Sequence, residues 1–271
     1  MEDASTVFAP WLTAWRLAPD GEPFRSAPSG AWLLPVRCGP TAAILKVASH
    51  PEEKRGGAVM AYYAGGGAAE VLAHDDQAVL LERLDGPRSL ADMARGGEDE
   101  AACRILCETA ARLQAPRPGP LPDLIIRLEP WFASLWPRAE SDGGYFAAAA
   151  RIARELLVRN EAPVVLHGDL HHGNVLDGGS RGWRAIDPKG LLGPRGYDYA
   201  NMICNPDAPT ARRRFERRVA IVSEMSRQDP AEVLRWLVAY TALSASWTLG
   251  SGGDPWQALD TGGLALAALS L

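Results

Sequence analysis

The chain has 271 residues, 47% apolar and 23% charged, a composition that excludes a disordered, collagen-like or fibrous protein. At roughly 150 residues per domain, the length suggests two domains or one domain with two lobes. Lys and Arg number 28 against 33 Asp and Glu, a net charge of −5, so the chain lacks the basic footprint that general DNA or RNA binding needs.

The opening MEDASTVFAP has no basic stretch followed by an apolar one, so no secretion signal is expected. No stretch of about 18 residues stays apolar, so no membrane span is expected and the chain reads as cytoplasmic. Of Cys38, Cys103, Cys107 and Cys204, only Cys103 and Cys107 are close. Their spacing suits one helix face and misses the CxxC zinc knuckle, which predicts reduced core thiols.

The first 30 residues are rich in Pro, Gly and Ser and predict little. Two apolar runs follow at 31–38 and 41–48, with Cys38-Gly39-Pro40 as the turn of a hairpin. Pro35 predicts that the first of these strands lies at a sheet edge. Ser49, Pro51, Glu52 and Glu53 mark a helix start, and Gly65-Gly66-Gly67 marks its end near Ala64. Strands are predicted at 70–73 and 77–84, with His74-Asp75-Asp76 between them.

After Asp85-Gly86-Pro87 the pattern turns helical. Helices are predicted at 98–114, 123–136 and 145–160. Another starts at Asp229-Pro230-Ala231-Glu232, which supplies an N-cap, a Pro at N1 and an acid at N3. Val233, Trp236, Leu237, Tyr240 and Trp247 mark its inner face, and a last helix covers 255–269. Arg212-Arg213-Arg214 with Arg217-Arg218 reads as a solvated helix face. Short strands at 164–166, 175–176 and 183–186 interrupt this helical half and enclose a polar loop, His167-Gly168-Asp169-Leu170-His171-His172-Gly173-Asn174.

That loop concentrates chemistry. Asp169 is a carboxylate that can orient a hydroxyl and accept its proton. Asn174 offers an amide oxygen, and Ile186-Asp187-Pro188 adds a second carboxylate at a strand end. Such hard oxygens suit Mg²⁺. Upstream, Lys46 is a lone charge late in an apolar strand and needs a partner; Glu53 on the next helix fits, with Glu52 as its nearest rival. A strand Lys, a helix Glu, a loop Asp with its Asn, and a later Asp are the parts of a kinase-type phosphotransferase. His167, Asp169, His171 and His172 also look like an H-x-D-x-H metallohydrolase loop. That reading needs later His or carboxylate ligands, and only His50 and His74 remain, both upstream. His167 is expected to bond the loop backbone.

The order H-G-D-x-x-x-x-N followed by I-D resembles the aminoglycoside phosphotransferase family. HGDLHHGN, RGWRAIDPKGLLG, ANM and NP are most similar to its streptomycin 6-phosphotransferases. The resemblance implies an α+β, two-lobed protein-kinase-like fold. A small β-sheet N-terminal lobe with one main helix would occupy 1–84, a hinge 85–88, and a larger, mostly helical lobe 89–271. It implies ATP and Mg²⁺ as cofactors, Asp169 as catalytic base, Asn174 and Asp187 as Mg²⁺ ligands, and Lys46, paired with Glu53, on the nucleotide phosphates. Adenine would meet the backbone of Glu82 and Leu84 in the segment 81–86. Ser29-Gly30 would cover the phosphates, although no GxGxxG precedes Lys46. The implied substrate is an aminoglycoside, foremost streptomycin at its 6-hydroxyl. Asp198, Glu224 and Asp254 are the candidate acids for its cationic groups, and Trp247 and Trp256 candidate aromatic walls. Asp198 has a second expected role, bracing the catalytic loop. Hydroxyurea or another hydroxylated amine or antibiotic is the alternative substrate, and a catalytically silent kinase-like binding protein the alternative function. No nucleic acid, membrane or protein partner is expected.

Overall fold

The structure is a computed structural model that describes residues 4–26, 30–159 and 161–270. Ser29 lies outside the described residues. The N-terminal lobe runs α1 (Ala4–Ala14), β1 (Ala18–Pro19), β2 (Phe24–Arg25), β3 (Trp32–Cys38), β4 (Thr41–Val47), α2 (Pro51–Tyr63), β5 (Val71–His74) and β6 (Ala78–Glu82). Its sheet is antiparallel in the order β1-β3-β4-β6-β5, with β2 also on β3. The β3–β4 hairpin pairs Cys38 with Thr41 and Trp32 with Val47, and Gly39 takes the left-handed conformation its turn requires (φ 58°).

The period of two sorts these strands. Ala43 and Leu45 on β4, with Ala78 and Leu80 on β6, pack into a core beneath Phe8 of α1. Ile44 and Lys46, with Val79 and Leu81, face the opposite way into a cavity. Pro35 does not put β3 at the edge. The carbonyl of Pro35 accepts the Asp20 N–H at 2.8 Å, so its missing donor points to the same side, where the strand pairing is interrupted between β1 and β2.

The second lobe runs α3 (Leu90–Arg95), α4 (Asp99–Leu113), β7 (Ile126–Arg127), α5 (Leu128–Trp131), α6 (Leu135–Asp142), α7 (Gly144–Leu157), β8 (Val164–Leu166), β9 (Val175–Asp177), β10 (Trp183–Ala185), β11 (Leu191–Gly193), α8 (Gly196–Cys204), α9 (Ala208–Ser226), α10 (Pro230–Gly250) and α11 (Trp256–Ala268). The helix expected over 123–136 is broken, because Ile126 and Arg127 pair in parallel with β11. α10 starts as its N-cap predicts, with the Asp229 carboxylate accepting the Ala231 N–H at 2.8 Å. It packs on α7, α8, α9 and α11 through fully buried Trp236 and Leu237. No helix among the described residues is long and apolar enough to cross a membrane.

The arginine run on α9 is not simply a solvated face. Arg212 pairs with Asp260 and Arg217 with Glu100. Arg218 is fully buried, where it pairs with Asp99 and donates to the Ile203 carbonyl at 2.8 Å. A buried guanidinium is tolerated only with its donors matched in this way. Cys103, Cys107 and Cys204 are buried free thiols.

The lobes join along one seam. Ala69 and Ala185 donate across it to the carbonyls of Ala185 and Gly67, both at 2.9 Å. Arg88 chelates Asp177 at 2.8 and 3.0 Å, and Arg181 pairs with Glu82. Gly56 on α2 approaches Pro188 so closely that a Cβ there would lie 2.6 Å from the Pro188 oxygen. This close approach docks α2 directly on the segment that follows Asp187.

Candidate active site

β8 delivers the chain into the loop 167–174, and β9 and β10 carry it back to Asp187. Gly168 needs its left-handed backbone (φ 83°), and a Cβ there would lie 2.9 Å from Leu191. His167 is fully buried. Its Nε2 donates to the Ile186 carbonyl at 2.8 Å, which fixes the tautomer, and its Nδ1 accepts the Asp169 N–H at 3.2 Å. It is a scaffold for the loop, not a metal ligand. Among the described residues, no group of three or more His, Cys, Asp or Glu side chains is arranged to hold a metal.

Asp169 is half-buried and held at both carboxylate oxygens. Asn201 of α8 donates to Oδ1 at 2.8 Å; Asn174 lies 3.4 Å from Oδ2 and donates to the Asp169 carbonyl at 2.9 Å. Lys189 lies 3.9 Å from Oδ2. Burial pushes the Asp169 carboxyl above its ordinary range, against the pull of His171 and Lys189. A carboxylate so raised and oriented suits a general base.

Asp187 has a left-handed backbone (φ 61°), an uncommon conformation for a non-glycine residue and one that concentrates at functional sites. Its carboxylate pairs with Lys46, whose ammonium is also 3.8 Å from Glu53. Glu53 in turn accepts the Ser49 N–H and hydroxyl at 2.7 and 2.8 Å. Glu52, the rival partner, turns instead to Lys189 at 3.0 Å. Burial pushes the Asp187 carboxyl up, but the charge and hydrogen bond of Lys46, together with the charges of Lys189 and His167, outweigh it and hold the group below its ordinary range.

Lys46, Glu53, Asn174 and Asp187 line one cavity of about 460 Å³ between the lobes. Ile44, Met60, Val79 and Leu81 give it apolar walls, and Phe24, Ser26 and Leu33 extend over it from the β2–β3 hairpin. Glu82 and Leu84 line it too. The Glu82 N–H is committed to the Glu70 carbonyl at 2.9 Å, and its carboxylate to the Glu70 N–H and Arg181. Among the described residues no hydrogen bond uses the backbone of Leu84, which leaves its N–H for a ligand. Gly30 has φ 74° and donates to the Ser26 carbonyl at 2.8 Å, but it does not line the cavity.

The residues present fit a magnesium ion. The Asn174 amide nitrogen is turned to Asp169, so its oxygen is free to face the cavity beside the Asp187 carboxylate. One carboxylate and one amide oxygen form the sparse, hard donor set that Mg²⁺ accepts when phosphates and waters complete its shell.

A second cavity, of about 320 Å³, opens on the other side of Asp169. Its wall is polar: Asn201, Asn205, Ser244, Thr248, Gln257 and Asp254. Asp254 is thus the one expected substrate acid that reaches it. Asp198 does not; it is 1% exposed and accepts the N–H groups of His167 at 3.0 Å and Gly168 at 2.8 Å, and the Gln114 amide at 3.1 Å. It braces the loop. Glu224 lies on the outer face of α9, paired with Arg104 at 3.0 Å. Trp247 packs edge-on to Trp131, and neither it nor Trp256 lines this cavity. Asn201 and Lys189 went unassigned in the sequence, although both stand in stretches that carry the resemblance, ANM and IDPK.

Burial holds the imidazole of His167 down to about 4 and that of His172 down to about 3. Unfolding returns each to about 6.5. Between pH 6.5 and 4 the unfolded chain then binds more protons, so stability is lost as pH falls, by roughly 3 kcal/mol per ring. Asp198 acts with the opposite sign: burial pushes its carboxyl up to about 6, so the folded chain takes up that proton first and offsets about one ring. The Tm is expected to fall on acidification from pH 6.5 to 4, and to fall less in His172→Phe. A flat Tm, or equal slopes in the two proteins, contradicts this.

Residues 14–252 match the aminoglycoside/hydroxyurea antibiotic resistance kinase family. The chain is 48% identical over 248 residues to a streptomycin 3''-kinase of Klebsiella pneumoniae, covering 89% of this chain and 92% of that one. It is 30% identical over 282 residues to a streptomycin 6-kinase of Streptomyces glaucescens, covering 94% and 85%. The crystal structure of aminoglycoside phosphotransferase APH(4)-Ia superposes with a TM-score of 0.66 at 17% identity, covering 99% of each chain, and shows that the fold is protein-kinase-like. On the strength of the family match and these relatives, the chain belongs to the aminoglycoside/hydroxyurea antibiotic resistance kinase family.

Proposed function

We propose that the chain transfers the γ-phosphoryl group of ATP to streptomycin, with the 3''-hydroxyl as acceptor. The observation that carries this reading is the position of Asp169. It stands in the polar cavity, while Asn174 and Asp187 stand in the neighbouring apolar-walled one. A nucleotide in the latter would present its phosphates to Lys46 and to the Asn174–Asp187 pair. Bound Mg²⁺, held by Asn174 and Asp187, would neutralise phosphate charge. Lys46 exchanges its pairing with Asp187 for the phosphates, and Glu53 keeps it in place. Asp169 orients the acceptor hydroxyl and takes its proton. The hydroxyl oxygen forms its bond to Pγ as the bond from Pγ to the β,γ-bridging oxygen breaks, and that electron pair leaves on ADP. Such a transfer depends on positioning and charge more than on covalent chemistry by the protein.

Two observations support the 3''-hydroxyl. One is the 48% identity to a protein named for that position. The other is the wall of the polar cavity, where, among the described residues, Asp254 is the one carboxylate besides Asp169 and most of the remaining polar groups are amides and hydroxyls, with the His171 imidazole beside them. That suits a sugar ring with a single ammonium better than the streptidine ring, whose 6-hydroxyl neighbours cationic guanidinium groups. The 6-hydroxyl, expected from the loop, is the second reading and rests on the likeness to a streptomycin 6-kinase.

Incubation with MgATP and streptomycin, followed by phosphorus–proton correlation NMR of the product, tests both. Coupling to the 3'' proton is expected. Coupling to the proton at position 6 overturns the 3'' assignment in favour of the second reading. Absence of any phosphorylated streptomycin at high enzyme concentration overturns the substrate.

A further inference from the structure

Lys189 follows the Asp187-Pro188 pair, and nothing above assigns it a role. Its ammonium lies 3.0 Å from Glu52 Oε1 on α2 and 3.9 Å from Asp169 Oδ2 on the catalytic loop. Its backbone is fixed at both ends. The Lys189 N–H donates to the His167 carbonyl at 2.6 Å, and its own carbonyl accepts Arg55 Nε of α2 at 2.7 Å. The glycines around it leave no slack: a Cβ on Gly168 would sit 3.0 Å from Lys189 Cβ, and one on Gly190 would meet Arg55 at 2.5 Å. The side chain is only 20% exposed. Ordering and covering a lysine costs conformational entropy and hydration, which two facing carboxylates offset.

Lys46 and Lys189 divide these acidic groups between them. Lys46 serves Asp187 and Glu53 on the nucleotide side. Lys189 serves Asp169 of the loop and Glu52 of α2. Asp169 Oδ1 is held by Asn201, with His171 Nε2 at 3.8 Å, whereas among the described residues Oδ2 has a long contact to Asn174 at 3.4 Å and the ammonium of Lys189. We infer that Lys189 is a positioning residue for phosphoryl transfer, which fixes the Asp169 carboxylate toward the acceptor and ties that orientation, through Glu52, to the docking of helix α2 on the catalytic loop. This rests on Asp169 as the base of the proposed reaction.

The test is steady-state ADP formation, with streptomycin as acceptor and, separately, with water. It compares the wild type with Lys189→Met, Lys189→Arg, Glu52→Gln, Asp169→Asn and the Lys189→Met/Asp169→Asn double variant. A misplaced catalytic group costs roughly 10²-fold. Lys189→Met is expected to lose about that much kcat with the KM for MgATP and the Tm little changed. Lys189→Arg is expected to recover most of it, and Glu52→Gln to show a smaller loss. In the Asp169→Asn background, Lys189→Met is expected to add no further loss, since its effect runs through that carboxylate. A purely structural lysine would lower Tm and nucleotide affinity and would add its loss in full to the double variant. Wild-type kcat in Lys189→Met, or full additivity, overturns the inference while leaving Asp169 as base. Full turnover in Asp169→Asn overturns both.

Discussion

Asp169→Asn is expected to lower kcat by roughly 10²–10⁴-fold, the usual scale for a positioned acid–base group, with Tm and MgATP affinity near the wild-type values. The substitution keeps the shape of the side chain. An amide oxygen at this position can still accept the Asn201 amide, now 2.8 Å from Oδ1, so the link between the loop and α8 survives. The main-chain bond from Asn174 to the Asp169 carbonyl is untouched. What disappears is the capacity to take the hydroxyl proton. Thermal unfolding and nucleotide titration of the purified variant check the intact fold, and initial rates check the loss. A folded variant that turns over within a few-fold of the wild type removes Asp169 from the role of base.

Asp187→Ala is expected to weaken MgATP binding by about 10²-fold or more, equivalent to about 3 kcal/mol. The carboxylate pairs with Lys46, and its loss leaves the lysine to Glu53 alone, 3.8 Å away. The phosphates would lose an anionic metal ligand on the wall of the cavity, while Asn174 beside it offers no charge. Asp187→Asn serves as the companion variant, because it keeps the side-chain volume at a position whose left-handed backbone suits Asn well. Asn174→Ala is expected to weaken binding less, since it removes a neutral oxygen. Calorimetric titration of nucleotide into each variant, with and without Mg²⁺, reads these effects. Wild-type affinity and Mg²⁺ dependence in both Asp187 variants would show that the carboxylate holds no metal.

The Lys46–Asp187 side of this cleft is largely legible in the sequence. Lys46 stood out because a lone ammonium in an apolar strand needs a carboxylate, and the structure gives it two. Asp169, Asn174 and Asp187 were visible as a polar loop and a strand end among short apolar runs. The acceptor side was not legible, for a physical reason. Its wall comes from α8, α10 and α11, and its Asn, Ser, Thr and Gln residues are far apart in the chain and look like ordinary inner-face polar groups until the helices are packed. Acidic character alone could not rank Asp198, Glu224 and Asp254. Burial gave the first to the loop backbone, Arg104 took the second, and only the third reaches the cavity. Local propensity likewise misplaced β3, where the missing donor of Pro35 falls in a gap between two short partner strands. It also predicted one helix across 123–136, where pairing of Ile126 and Arg127 with β11 decides the backbone.

The most direct test is the stoichiometry of ADP and phosphorylated streptomycin formed by the wild type and by Asp169→Asn, each with and without the drug. The expected result is drug-dependent ADP formation by the wild type, matched one for one by a phosphorylated streptomycin, and its collapse in Asp169→Asn. ADP formation that ignores streptomycin, or an equal yield of phosphorylated drug from Asp169→Asn, would contradict a streptomycin phosphotransferase that uses Asp169 as its base.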